Sequence, residues 1–426
     1  RVSAQEAFLP DAEDGDAIAL WTEQGHTLLD ESFNWSERVR RIREQRGNAL
    51  RDTRFDVDAR TMFLDRNKHD GTESEAWAVG GSVGLVTGYF RDRVAVGATA
   101  YTSQKLVGDE DKDGTGLLAP GQQGYSVLGE IYADIRILED LSFVAGRKGF
   151  DTPYINRNDV RMTPNTFQAA VLQGSAAIGE GGAAIDFGAG YFEKIKVWSS
   201  DKFVPMSEAA GAAVDRGVLT IGGRYSKGDF SLGAVNYYSN DIINIAYAEA
   251  SYSLPLPAER RLRLALQYSD QRSVGADLLQ GDEFSARQFG VRADLPVGPA
   301  LFTVAYTSAA GNANMRSPWG GYPGYTSVQV ENFNRDGERA LLLRAGYEFA
   351  RIEGLSAYAL WVTGSDPDEA GEHRTDEYDL NLQWSPSKGI LKNLALRLRY
   401  AVVEQHGGDA EDLEDLRLIC SYNIDI

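Results

Sequence analysis

From Thr53 to Ile426 the chain is written in short segments that alternate apolar and polar residues. Between residues 259 and 271, Leu262, Leu264, Leu266 and Tyr268 fall on one phase and Arg261, Arg263, Gln267 and Ser269 on the other. Successive side chains of a strand point to opposite faces, so one face suits lipid and the other water. The same split recurs where Leu341, Leu343, Ala345, Tyr347 and Phe349 oppose Arg344 and Glu348. Tyr378, Leu380, Leu382 and Trp384 likewise oppose Glu377, Asp379, Asn381 and Gln383, and Leu394, Leu396, Leu398, Tyr400 and Val402 oppose Arg397 and Arg399.

A soluble sandwich alternates too, and the connections decide between the two. Short ones fall near 91–93, 138–140, 179–182, 227–229, 255–259, 297–299, 351–354 and 386–389. Longer polar stretches lie between them, near 67–75, 104–124, 148–165, 194–217, 239–242, 270–283, 309–338, 364–374 and 405–413. Short turns at one end and long loops at the other predict an all-β fold: an antiparallel transmembrane barrel of roughly eighteen strands, turns periplasmic and loops extracellular. The connection at 239–242 is the weakest support for that count.

Composition fits this reading. A barrel uses about ten residues per crossing plus loops, so 53–426 forms one unit and residues 1–52 a leader. The 45 glycines, 20 tyrosines and 17 phenylalanines suit a curved sheet with aromatic girdles. Mean hydropathy is below zero, and no uncharged run reaches the length a spanning helix needs. Cys420 has no partner for an internal bridge and reads as a small apolar filler. No signal peptide is visible at Arg1, as expected of a mature exported protein.

The net charge of −19 is unevenly spread. Acids crowd the leader and the predicted loops, as at Asp109, Glu110, Asp111 and Asp113, whereas arginines recur on the polar phase of strands. Arg136, Arg224, Arg261, Arg263, Arg292, Arg344, Arg397, Arg399 and Arg417 all fall in phase with the lumen. A slip of one residue would turn an arginine to lipid, at a cost of about 2–4 kcal/mol near the midplane. A row of lumenal guanidinium groups predicts a track that guides anions; the plainer alternative is that they pair with lumenal carboxylates and fill the interior.

The stretch from Val328 to the end, including "ENFNRDGERALLLRAGYEFARIEGLSAYALWVTGSD", "TDEYDLNLQW", "GILKNLALRLRYAVVEQ" and "EDLRLICSYNIDI", resembles the OprD-type family of substrate-selective outer-membrane porins. Upstream, "NDVRMTPNTFQAAVLQG" is similar to the family's third loop entering its next strand, and "DTRFDVDARTMFLDR" to its first strand. The resemblance implies an eighteen-stranded monomeric barrel, third and seventh loops folded inward, an arginine ladder on one wall with acidic or polar groups opposite, and small carboxylate-bearing nutrients as solutes. Carried onto this chain, the third loop brings Asp151, Tyr154, Asn156, Arg157, Asp159 and Arg161 to the constriction. The seventh brings Ser317, Trp319, Tyr322, Tyr325 and Ser327, within a string, "SPWGGYPGYTS", whose glycines, prolines and rigid aromatics suit a compact fold; an outer cap touching lipopolysaccharide is the alternative.

The chain departs from the family in its long leader and in ending on Ile426 rather than phenylalanine. Within the leader, 34–48 places Trp35, Val39 and Ile42 near one face of a short amphipathic helix, which fits a partial plug, a docking segment for a periplasmic partner or a free tail. Asp109, Asp111, Asp113 and Gly114 imitate half of an EF-hand loop, but Pro120 stands where the closing glutamate belongs. His26, His69, His373 and His406 lack metal-ligand spacing, and no nucleophile elbow or phosphate loop is present. The expectation is a passive outer-membrane channel, monomeric or loosely trimeric, in contact with lipid and lipopolysaccharide, without enzymatic activity, metal, cofactor or nucleic-acid partner. A closed-lumen envelope scaffold or adhesion barrel whose leader helix recruits a partner is the alternative, and an outer-membrane enzyme stands third.

Overall fold

The computed structural model describes residues 49–179, 182–257, 260–368, 373–407 and 411–425. The leader helix at 34–48 lies outside them. The strands are β1 (Arg54–Asn67), β2 (Glu73–Val86), β3 (Val94–Val107), β4 (Tyr125–Leu138), β5 (Leu141–Lys148), β6 (Thr166–Ile178) and β7 (Ala183–Lys196). A two-residue β8 (Val204–Pro205) and a one-turn helix α1 (Met206–Ala209) follow. Then come β9 (Val218–Lys227), β10 (Phe230–Ser239), β11 (Ile243–Pro255), β12 (Arg261–Arg272), β13 (Ser285–Val297) and β14 (Ala300–Gly311). The last are β15 (Arg339–Glu348), β16 (Leu355–Ser365), β17 (Thr375–Trp384), β18 (Leu394–Gln405) and β19 (Leu413–Asp425).

Apart from β8, which pairs only with β7, each strand pairs antiparallel with its neighbour in sequence, β7 passing directly to β9. The sheet closes because β1 pairs with β2 along one edge and with β19 along the other, from Asp56 opposite Asp425 to Asn67 opposite Glu414. The result is a closed barrel of 18 long strands, which leaves no unpaired edge among backbone groups that lipid could not satisfy. Among the described residues no helix is long and apolar enough to cross a membrane.

The period of two sets which side chains meet lipid. On β12, Leu264, Leu266 and Tyr268 are 42–52% exposed on the bare chain, while Ala265, Gln267 and Ser269 are 3–4% exposed and face inward. β15, β17 and β18 repeat the split on the phases expected from their sequence. Turns at one rim are tight: β9 and β10 are joined by Gly228 and Asp229, with Gly228 at φ 54°, a conformation a side chain disfavours. The connection between β10 and β11, residues 240–242, is the shortest at the long-loop rim, and it does join two full strands.

Loops from the long-loop rim fold back onto inward-facing side chains. Numbered in order, loop 2 (108–124) places Leu117 and Leu118 against Met62 and Leu64 of β1 and Ala76 and Ala78 of β2. Loop 3 (149–165), loop 4 (197–217) and loop 7 (312–338) share one cluster, in which Tyr154, Met206 and Trp319 pack on Phe167, Phe192, Tyr237 and Tyr247. Loop 7 also sends Tyr325, Val328 and Phe333 onto Ala265, Leu342, Tyr358 and Val362 of the inner wall.

Candidate solute pathway

Loop 3 leaves β5 and is tied at its root by Asp151, whose carboxylate accepts the Arg157 amide at 3.1 Å and Arg157 Nε at 2.7 Å. Burial alone would lower the Arg157 guanidinium pKa, but the Asp151 charge outweighs it and raises it above its usual value. Tyr154 reaches over the far wall: its hydroxyl hydrogen-bonds Ser269 Oγ of β12 at 2.7 Å, and its amide donates to the Tyr237 hydroxyl of β10 at 3.3 Å. The rings of Tyr237, Tyr247 and Tyr322 meet Tyr154 edge-on at 5.9, 6.1 and 6.2 Å between centroids. Burial pushes the Tyr154 phenol up to about 12, so it stays neutral and serves as a structural hydrogen-bonding group.

Asn156 joins the two loops. Its Nδ2 donates to the Gly321 carbonyl at 3.0 Å and its Oδ1 accepts the Gly321 amide at 2.8 Å. A Cβ on Gly320 would lie 2.5 Å from this amide, so glycine is what lets the loops approach so closely. Ile155 and Trp319 form a parallel bridge beside this contact, and the indole Nε1 donates to the Met206 carbonyl of α1 at 2.8 Å.

The last third of loop 3 crosses to β1. Arg60 grips Asp159 with two hydrogen bonds of 2.7 and 3.1 Å and also donates to the Arg161 carbonyl at 2.6 Å. The Arg161 side chain is buried: its Nε donates to the Thr115 carbonyl of loop 2 at 2.9 Å, and its guanidinium lies 4.6 Å from the Trp198 ring centre. Burial first, and then the charges of Arg417, Arg66 and Arg399, hold the Arg161 guanidinium pKa well below its usual value.

In loop 7, Ser317 Oγ donates to the Gly320 carbonyl at 3.0 Å, closing the turn that presents Trp319. The Tyr322 hydroxyl donates to Gln288 Oε1 of β13 at 2.8 Å, and Gln267 Nε2 of β12 donates to the Pro323 carbonyl at 2.6 Å. The Tyr325 hydroxyl donates to Glu249 Oε1 of β11 at 2.5 Å, and Ser327 Oγ donates to Asn332 Oδ1 at 2.8 Å. Trp319, Tyr322, Tyr325 and Ser327 are all buried, so the loop centre is a packed body with ordered partners.

The nine strand arginines do not sit in one file. Arg263 and Arg292 lie on the paired strands β12 and β13, and Arg344 lies on β15, beyond β14: Arg263 is opposite Asp294 in register, Arg292 holds Asp294 through Nε at 2.9 Å, and Arg344 stacks 3.9 Å from the Tyr358 ring centre. A second group occupies β18 and β19. Arg397 Nε donates to Asn381 Oδ1 at 2.6 Å, and Arg399 stands directly opposite Arg417, whose Nε donates to Asp415 Oδ1 at 2.6 Å. Arg136 stacks 4.3 Å from the Tyr89 ring centre, Arg224 Nε donates to Ser231 Oγ at 2.9 Å, and Arg261 pairs with Asp229; these three lie toward the short-turn rim.

Several wall residues escaped the sequence reading. Arg66 of β1 pairs with Asp415 at 2.6 Å, and Arg60 and Arg66 share the polar phase of their strand, a signal that was present in the alternation. Lys196, fully buried with its Nζ donating to Thr163 Oγ1 at 2.8 Å, follows a register shift between β6 and β7 that alternation does not announce. Among the described residues the metal-capable groups lie near one rim. Asp376, Glu404 and His406 form one set and Asp65, Glu73 and Glu75 another, both near the long-loop rim, and Asp376 is already engaged by Arg374 and His406. Asp113 of the EF-hand-like string spends its two oxygens on the amides of Gly114 and Gly121.

A closed 18-stranded antiparallel barrel with inward-packed loops is the architecture of outer-membrane porins. Residues 48–426 match the model of the OprD family, outer membrane porins, and the chain belongs to that family. It shares its fold with OccK9 (OpdG) of Pseudomonas aeruginosa, at a TM-score of 0.80 and 24% identity, covering 89% of this chain and 100% of that one. A BenF-like porin from Pseudomonas fluorescens Pf-5 superposes with a TM-score of 0.79 at 18% identity, covering 89% of this chain and 100% of that one. OpdK of Pseudomonas aeruginosa, solved with vanillate, superposes with a TM-score of 0.76 at 20% identity and the same coverage. No curated protein matches the sequence. The protein is therefore an outer-membrane porin, a class known as channels for small solutes.

Proposed function

We propose that this porin admits small water-soluble solutes bearing a carboxylate, and that the arginines of β18, β19 and β1, with loops 3 and 7, form the selective part of its passage. The carrying observation is the meeting of four guanidinium groups from separate segments: Arg66, Arg399 and Arg417 on the wall and Arg161 in loop 3, with Asp415 held among them. Like charges placed so close raise the local potential for an anion, and guanidinium matches carboxylate geometry in two-point contact. Loops 3 and 7, locked to each other through Asn156 and Gly321, narrow the route and leave Arg397, part of the same wall, beside it. The solute hands its carboxylate from one arginine to the next, each contact weak enough to release it. Vanillate, the molecule solved with OpdK, is an aromatic carboxylate and fits this chemistry.

Residues 1–52 form a leader separate from the 53–426 barrel in this reading. Liposome swelling with carboxylates, amines and neutral sugars tests the proposal: carboxylates should enter fastest. The packed aromatic body of loops 3, 4 and 7 favours a second reading, a closed scaffold barrel, for which a planar bilayer would stay silent.

A further inference from the structure

The tip of loop 7 is held by the barrel wall in an unusual way, through backbone amides that donate to buried carboxylates. The amides of Val330 and Glu331 donate to the two oxygens of Glu377 at 2.8 and 2.7 Å, and the Gln329 amide donates to Asp379 Oδ2 at 3.2 Å. Glu377 and Asp379 are two residues apart on the inward phase of β17, and both are buried. The tip itself is a tight bend closed by the Val328 amide on the Glu331 carbonyl at 3.0 Å. From it Gln329 reaches into the arginine group: its Nε2 donates to Asp415 Oδ1 at 2.8 Å, and its carbonyl accepts Arg417 Nη2 at 3.0 Å.

Each side of this contact depends on the other. A buried carboxylate needs donors, because stripping it of water without them is costly, and a buried bend needs acceptors for its amides. Both oxygens of Glu377 are taken by loop 7, so the wall is satisfied when the loop is docked. We infer that Glu377, assisted by Asp379, is the positioning residue that moors the tip of loop 7 across the barrel and thereby sets the aperture beside Arg417. This inference rests on loop 7 being part of the solute passage. The mooring is hydrogen bonding between strand carboxyl groups and loop amides, so it can loosen without unfolding the barrel.

The test uses the full chain, folded in detergent and in planar bilayers. Hydrogen exchange of the segment spanning 328–331 is compared between the parent, Glu377→Gln, Asp379→Asn, and Val330→Pro, which removes one donating amide from the loop and leaves every wall residue in place. Tyr378→Phe, on the lipid-facing phase of the same strand, is the control. Exchange at Glu331 should rise about tenfold or more in Glu377→Gln, as expected for losing a buried hydrogen bond, with resistance of the barrel to SDS unchanged. Single-channel current should become larger and noisier in Glu377→Gln and in Val330→Pro, and parent-like in Tyr378→Phe. Parent-like exchange at Glu331 in both Glu377→Gln and Val330→Pro overturns the mooring. A parent that conducts nothing overturns the channel reading instead, while the exchange result still decides the mooring.

Discussion

The two sides of the lumen hold their loops by different physics. Along β10 to β13, the Tyr154 ring packs on Tyr237, Tyr247 and Tyr322 in a buried cluster with Trp319, and apart from Tyr325 to Glu249 of β11 its loop contacts join neutral groups. Along β17, β18, β19 and β1, the contacts run through acidic and basic side chains: Glu377 and Asp379 to loop amides, Asp415 to Arg66 and Arg417, Arg60 to Asp159. Apolar burial is not weakened by charge screening and holds a loop as a fixed body, whereas removing one partner of a buried charged contact strands the other. Under the proposed function, the second side carries the contacts to an anion and the first side the rigid frame.

The comparison can be broken most strongly on the aromatic side. Trp319→Ala should cost about 3–5 kcal/mol of loop docking, as for other buried tryptophans, and hydrogen exchange should rise together in loops 3, 4 and 7, equally at low and high salt. On the charged side, Asp415→Asn strips Arg66 and Arg417 of their shared carboxylate; about 3 kcal/mol of thermal stability should be lost, and chloride should restore part of it. A loss that chloride leaves unchanged would place both sides under the same physics. Asn156→Ala removes the reciprocal bonds to Gly321 and should cost about 1–3 kcal/mol, read as faster exchange at Gly321 with the Tyr154 contacts intact. The smallest effect is on selectivity itself. Raising salt from about 0.1 to 1 M shortens the screening length from about 10 to 3 Å and should reduce the preference for carboxylate over sugar.

Alternation carried most of the fold. Leu264 and Leu266 against Gln267 and Ser269, or Leu380 and Leu382 against Asp379 and Asn381, already say which face meets lipid, because a one-residue slip reverses a whole strand. The long connections at 148–165 and 309–338 marked the loops that carry Tyr154, Asn156, Trp319 and Tyr322, and the structure packs these together. The inward packing of Leu117 and Leu118 from loop 2, and of Met206 from loop 4, was not legible, since a loop residue has no phase to show which way it turns. Lys196 was hidden by a register shift, and Arg60 and Arg66 were overlooked although their phase was plain. The contacts of Glu377 were beyond sequence reasoning: alternation places it inward, but its partners are backbone amides, which every residue but proline offers alike.

The central claim is that converging guanidinium groups select for carboxylates. Its most direct measurement is the ratio of flux of an aromatic carboxylate to that of a neutral sugar of similar size, in liposomes carrying the parent or the Arg399→Glu/Arg417→Glu variant. The parent should favour the carboxylate, and the variant should lose about tenfold or more of that ratio while sugar flux stays within about twofold, as expected for losing charge-assisted contacts to a carboxylate. Equal losses for both solutes, or a parent with no preference, would contradict the account.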